Sequence, residues 1–119
     1  MATVLLIDDN PIQLRAREGV LRSAGFQAHI ATNAESALAL MRNPAVTEQL
    51  GAIITDHVLN EESGVDFVRE LRQLNGEIPV IVVTGSAEAE SDYEGLNVVF
   101  RQKPCPPEEL IGLVKSLIG

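Results

Sequence analysis

The chain has 119 residues, 45% of them apolar, with 17 acidic against 9 basic side chains and a formal charge of −8. That length fits one compact domain, and the apolar share is too high for a disordered chain. The acidic balance argues against direct binding to nucleic acid or an anionic membrane, and no apolar run reaches the roughly 18–20 residues that span a bilayer. The lone cysteine, Cys105, cannot form an internal disulfide, which points to a reducing compartment. Met1 leads almost directly into a strand-like segment, so no signal peptide is expected and the protein reads as cytoplasmic.

Residues 4–7 form the first short apolar run, continuous enough for a strand buried on both faces. Asn10-Pro11 then offers a capping side chain and a proline for the first helical position, with Ile12, Ala16, Val20 and Ala24 as the helix stripe and Gly25 as its stop. A second strand is expected at 26–31, followed by a capping box of Thr32 and Glu35 and a stripe of Ala34, Leu38 and Met41. The connection 42–51 contains Pro44 and is long. It leads to a third strand at 52–55. Ser63 precedes a helix with Phe67, Val68, Leu71, Leu74 and Asn75 on one side, closed by Gly76 and Pro79. A fourth strand at 80–83 is followed by 86–94, rich in Glu, Asp, Ser and Ala, where the helix is expected to be short or frayed. A fifth strand is expected at 98–100. Pro106-Pro107-Glu108-Glu109 then opens a last helix with Leu110, Leu113, Val114 and Leu117.

Strands alternating with helices imply a parallel α/β sheet covered on both faces. In such sheets ligands bind beyond the carboxyl ends of the strands. Those ends carry Asp8 and Asp9 after strand one, Asp56 after strand three, Thr84-Gly85 after strand four and Lys103-Pro104 after strand five. Three carboxylates on one rim repel one another unless a cation neutralises them, and an all-oxygen donor set suits Mg²⁺ better than a soft metal. A carboxylate beside a divalent cation can attack phosphorus. The metal, a lysine and a threonine hydroxyl would then take up charge on the phosphoryl oxygens. Gly85 would let a backbone N–H approach them. Taken singly, Asp8-Asp9-Asn10 also reads as a helix cap and Asp56 as a loop acid. His29 and His57 read as surface residues and Cys105 as a small apolar filler.

With these residues in order, the chain resembles the receiver domain of two-component response regulators, of the chemotaxis-regulator type, over residues 1–119. The resemblance rests on Val-Leu-Leu-Ile-Asp-Asp-Asn (4–10), the stretch from Asp56 to Gly64, Val-Ile-Val-Val-Thr-Gly (80–85) and Lys103-Pro104. It implies a three-layer α/β/α, flavodoxin-like fold with a five-stranded parallel sheet in the order 2-1-3-4-5. It also implies a bacterial signalling phosphoprotein, not a turnover enzyme, with Asp56 as phosphoacceptor. Asp9, Asp56 and the backbone carbonyl of Val58 would bind Mg²⁺, with Asp8 acting largely through water. Thr84 and Lys103 would hold the phosphoryl oxygens, Thr84 and Phe100 would form the switch, and Pro104 would be a cis-proline. The implied partners are a sensor histidine kinase or phosphotransfer protein and an unknown output domain or partner, with a weak homodimer left open.

The chain also departs from the family pattern. Asn60 stands where a proline is usual, which loosens that turn. Val58 and Ser86 occupy positions that tune loss of phosphate, and suggest slow loss. Fifteen residues separate Thr84 from Phe100, fewer than is usual, which puts a dimer through the face of helix four, strand five and helix five in doubt. A flavodoxin-type electron carrier would need a hydroxyl- and glycine-rich loop where Asp8-Asp9-Asn10-Pro11 stands. A haloacid-dehalogenase-type phosphatase would need an acid where Val58 stands. A receiver acting purely as a binding module is countered by the intact acids, Thr84 and Lys103. A stand-alone regulator and a receiver cut from a longer protein both remain open.

Overall fold

The structure is a computed structural model, and it describes residues 3–59 and 62–118. Among these, β1 (Thr3–Ile7), β2 (Gln27–Ala31), β3 (Leu50–Asp56), β6 (Val80–Thr84) and β7 (Val99–Gln102) form one parallel sheet in the order β2-β1-β3-β6-β7. This is the 2-1-3-4-5 order expected. Burial explains the strand sequences: β1 and β6 are buried at every position, whereas the edge strands β2 and β7 are half-exposed. Central strands of a covered parallel sheet touch no water on either face, so they read as unbroken apolar runs.

Side chains alternate between two cores. Leu5, Ile7, Ile53 and Val82 face one layer with Leu38, Phe67 and Leu71. Val4, Leu6, Ile54 and Val83 face the other with Leu14, Leu21, Leu110 and Val114. The covering helices are α1 (Pro11–Ser23), α2 (Ala34–Met41), α4 (Gly64–Leu74) and α5 (Pro107–Ile118). A four-residue helix, α3 (Pro44–Thr47), lies inside the long connection, and a small antiparallel pair, β4 (Val58–Leu59) and β5 (Glu62–Ser63), follows β3. The segment Ala87–Tyr93 is a 3-10 helix whose buried residues are Ala89 and Tyr93, in keeping with its weak apolar stripe. Among the described residues no helix is long and apolar enough to cross a membrane.

Three local expectations are corrected. The α1 stripe is set by Leu14 and Leu21, while Ile12 is 82% exposed and Ala16 is also exposed. Steps of four residues drift about 40° each around a helix of 3.6 residues per turn, so 12-16-20-24 cannot stay on one face, whereas a step of seven nearly can. The cap of α2 is Asn33, which accepts from the Ser36 N–H at 2.7 Å, and Thr32 is exposed. The turn after α4 is made by Asn75, whose side-chain oxygen accepts from the N–H groups of Glu77 and Ile78, so Gly76 is not its centre. The caps Asn10 and Ser63 stand as expected, and Gly25 takes φ +95° just past the end of α1. The expectation for Asn60 lies outside the described residues.

Arg72 fastens α4 to the approach to β7. Its guanidinium donates to the carbonyls of Leu96, Asn97 and Ile78 at 2.8–2.9 Å and to that of Asn75 at 3.4 Å. That clamp holds the loop in which Asn97 takes φ +56° and so fixes where β7, and Lys103 after it, emerge.

Candidate functional site

Register brings the strand ends together. Ile7 pairs with Thr55, Asp56 with Val83 and Thr84 with Gln102, so Asp8, Asp56, Thr84 and Lys103 share one rim. Asp56 is 8% exposed. Its Oδ2 accepts from Lys103 Nζ at 2.7 Å, and its Oδ1 accepts from the N–H of His57 at 2.7 Å and, more loosely, from that of Val58 at 3.5 Å. Lys103 Nζ also donates to Gln13 Oε1 at 3.2 Å, and the Lys103–Pro104 peptide is cis. Thr84 is buried at the end of β6, and its hydroxyl accepts from the Ser86 N–H at 3.4 Å. A Cβ at Gly85 would meet no atom within 4 Å beyond its chain neighbours, so its smallness is not a packing requirement.

Asp8 is almost wholly buried, and its Oδ1 accepts from the Asn10 N–H at 2.9 Å. Burial pushes its carboxyl above the ordinary carboxylate range and the charge of Asp56 pushes the same way, while the Asn10 N–H, Arg17 and Lys103 oppose them. Asp9 is half-buried beside it. Among the described residues no three His, Cys, Asp or Glu side chains are gathered closely enough to hold a metal ion together. The donor chemistry nonetheless suits a hard cation. Two buried carboxylates, Asp8 and Asp56, repel each other, and their counter-ions are Arg17 and Lys103.

Four contributors escaped the sequence reading. Gln13 and Arg17 sit one turn apart on α1 and reach back over the rim to Lys103 and Asp8; two polar residues four apart, just after an acidic pair, were the available signal. His57 is half-buried, and its Nδ1 shares a hydrogen bond with the Tyr93 hydroxyl at 2.8 Å. Tyr93 is 3% exposed, and burial, with Asp56 and Asp92, pushes its hydroxyl pKa up. Its ring lies 6.1 Å from that of Phe100, which is half-buried against the same core. Gly64 completes the packing, its N–H donating to the His57 carbonyl at 2.6 Å. His29 is likewise half-buried, and Cys105 packs partly into the second core, as its reading as filler expects.

A doubly wound sheet whose strand ends gather aspartates, a threonine and a lysine is an α/β domain of the flavodoxin-like class. The sequence pattern of the response regulator receiver domain matches residues 4–115. The chain therefore belongs to the receiver domains of two-component response regulators. It is 27% identical over 120 residues to the response regulator protein TodT of Pseudomonas putida, covering 98% of this chain and 51% of that protein. The chain thus spans about half the length of the curated relatives it matches first. A response regulator receiver protein from Pseudomonas putida superposes with a TM-score of 0.86 at 31% identity, over 97% of this chain and 96% of that one. A CheY-like receiver domain protein from Methanospirillum hungatei superposes with a TM-score of 0.89 at 23% identity, over 99% of this chain and 94% of that one, and shows the fold alone.

Proposed function

We propose that this chain, over residues 1–119, is a cytoplasmic phosphoacceptor domain. On this reading Asp56 takes a phosphoryl group from the phosphohistidine of a sensor histidine kinase or phosphotransfer protein and passes the signal to an output domain or partner. The observation that carries this reading is the Asp56 carboxylate held at 2.7 Å from Lys103 Nζ at the end of a central strand, with Thr84 at the next strand end. A carboxylate oxygen of Asp56 forms a bond to phosphorus as the P–N bond breaks, and the electron pair returns to the imidazole nitrogen. The Lys103 ammonium is placed to take up charge on the phosphoryl oxygens, and the Thr84 hydroxyl to donate to one of them. The N–H groups of His57 and Val58 orient the other oxygen of Asp56. Asp8, Asp9, Asp56 and the Val58 carbonyl would hold Mg²⁺, which when bound neutralises charge on the carboxylates and the phosphoryl group. Thr84 and Phe100 would carry the change to the output face, by hydroxyl donation and by ring burial respectively.

Intact-mass measurement after incubation with a small acyl phosphate and Mg²⁺ tests this. One acid-labile phosphoryl group is expected on the wild type and none on Asp56→Asn. Full labelling of that variant would refute Asp56 as the acceptor.

A further inference from the structure

We propose that Arg17 is an internal counter-ion of the acidic rim, which a divalent cation must displace to bind. This rests on the reading of Asp8, Asp9 and Asp56 as the cation-holding acids. Arg17 Nη1 lies 3.4 Å from Asp8 Oδ2, with only 13% of the arginine side chain and 1% of the aspartate side chain exposed. A pair this deeply placed is little screened by salt, so Arg17 offsets the charge of Asp8 whenever no metal does. Lys103 does the same for Asp56 from another element, at 2.7 Å.

The two cations are not equivalent. Lys103 makes a short contact of the kind a charged donor makes with a carboxylate. Arg17 makes a single long one, without the paired geometry of a forked clamp. Arg17 also has somewhere to go. A cavity of about 570 Å³ runs along the same side of α1, with Arg17, Gln13 and Lys103 at the rim and Val20, Val83 and Leu110 among its apolar lining, so a guanidinium leaving Asp8 must move along α1 away from the Lys103 ammonium. Its apolar walls accept the methylene stem, and its open mouth leaves the guanidinium in water. Arg17 therefore holds the metal-free site together and gives way by swinging along α1.

Removing its charge should have two effects of opposite sign. Were the guanidinium to stay, a +2/+1 pair roughly 6 Å apart would weaken binding about tenfold even with bulk-water screening, and moving it aside costs at most about that much. Arg17→Met should therefore bind Mg²⁺ about tenfold more tightly than wild type, while unfolding at lower urea in EDTA because Asp8 loses its partner. Arg17→Lys, which keeps the charge, should stay within about threefold of wild-type affinity. The measurement is the melting temperature as a function of Mg²⁺ concentration, from which the dissociation constant follows by mass action, with ~0.15 M salt held constant. If Arg17→Met does not fold, Arg17→Gln carries the same comparison, since it too removes the charge while keeping a polar head. Wild type responding to Mg²⁺ with both neutral variants no tighter would overturn the counter-ion role and leave the acidic site standing. No response to Mg²⁺ in any of the proteins would overturn the acidic site and the counter-ion with it.

Discussion

Gly64→Ala separates what helix propensity predicts from what the packing demands. Gly64 opens α4, where exchanging glycine for alanine should gain about 0.5–1 kcal/mol by restricting the unfolded chain and favouring the helix. The surroundings predict the opposite. An alanine Cβ there would lie 2.5 Å from the Asp56 carbonyl oxygen, 2.5 Å from the Tyr93 hydroxyl and 3.0 Å from the His57 Cα. Two of these three are backbone atoms at the end of a central strand and cannot rotate aside. The third is the hydroxyl that bonds His57 at 2.8 Å, so moving it strands a buried polar group. Overpacking costs about 1–3 kcal/mol and an unsatisfied buried hydroxyl about 1–3 more, so after the helix gain the net expected loss is about 1–5 kcal/mol.

Urea unfolding of wild type, Gly64→Ala, Tyr93→Phe and the double variant measures this directly. Tyr93→Phe removes one of the two 2.5 Å obstacles, so the double variant should be more stable than the sum of the singles by about 1 kcal/mol. Gly64→Ala as stable as wild type, or more so, would refute the close approach of α4 to Asp56. Strict additivity would show that the backbone contact, not the hydroxyl, sets the cost.

Two further outcomes follow from the charges. Asp8 carries a carboxyl raised above its ordinary 3.8, so the proton favours the folded state. Its stabilising contribution is complete below about 3.8 and is lost as pH rises through the folded value. Asp8→Asn should therefore flatten that part of the stability profile in EDTA and melt above wild type at pH 7, as thermal melts across pH would record. Replacing Arg72 with Met should lower stability by about 2–4 kcal/mol, because several carbonyls lose a charged donor at once; a urea midpoint within a few tenths of a molar of wild type would contradict the clamp.

The rim was legible in the sequence because two strong regularities place it. Continuous β-branched runs mark covered strands, and the first residues after them in a parallel sheet must lie at the carboxyl edge. Asp8, Asp56 and Thr84 follow from position alone, whereas Lys103 stands three residues past the expected end of the fifth strand and directly after its observed end at Gln102. What surrounds them does not, because it depends on side chains meeting across the fold. Arg17 and Gln13 reach the rim from α1, whose buried residues are Leu14 and Leu21 and not those spaced by four, and their contacts with Asp8 and Lys103 cross between elements that no local pattern relates. Tyr93 was hidden for a related reason. It lies in a 3-10 segment with almost no apolar period, and its value comes from a hydrogen bond 36 positions away, to a histidine that looked like an ordinary loop residue. Gly64 shows the same limit from the other side: its place after the acidic loop is visible, but only the Asp56 carbonyl and the Tyr93 hydroxyl, each 2.5 Å from where a Cβ would stand, explain why a larger residue is strained there. Local patterns thus locate the strand-end residues, while the side chains that contact them come from other elements and are set by tertiary packing.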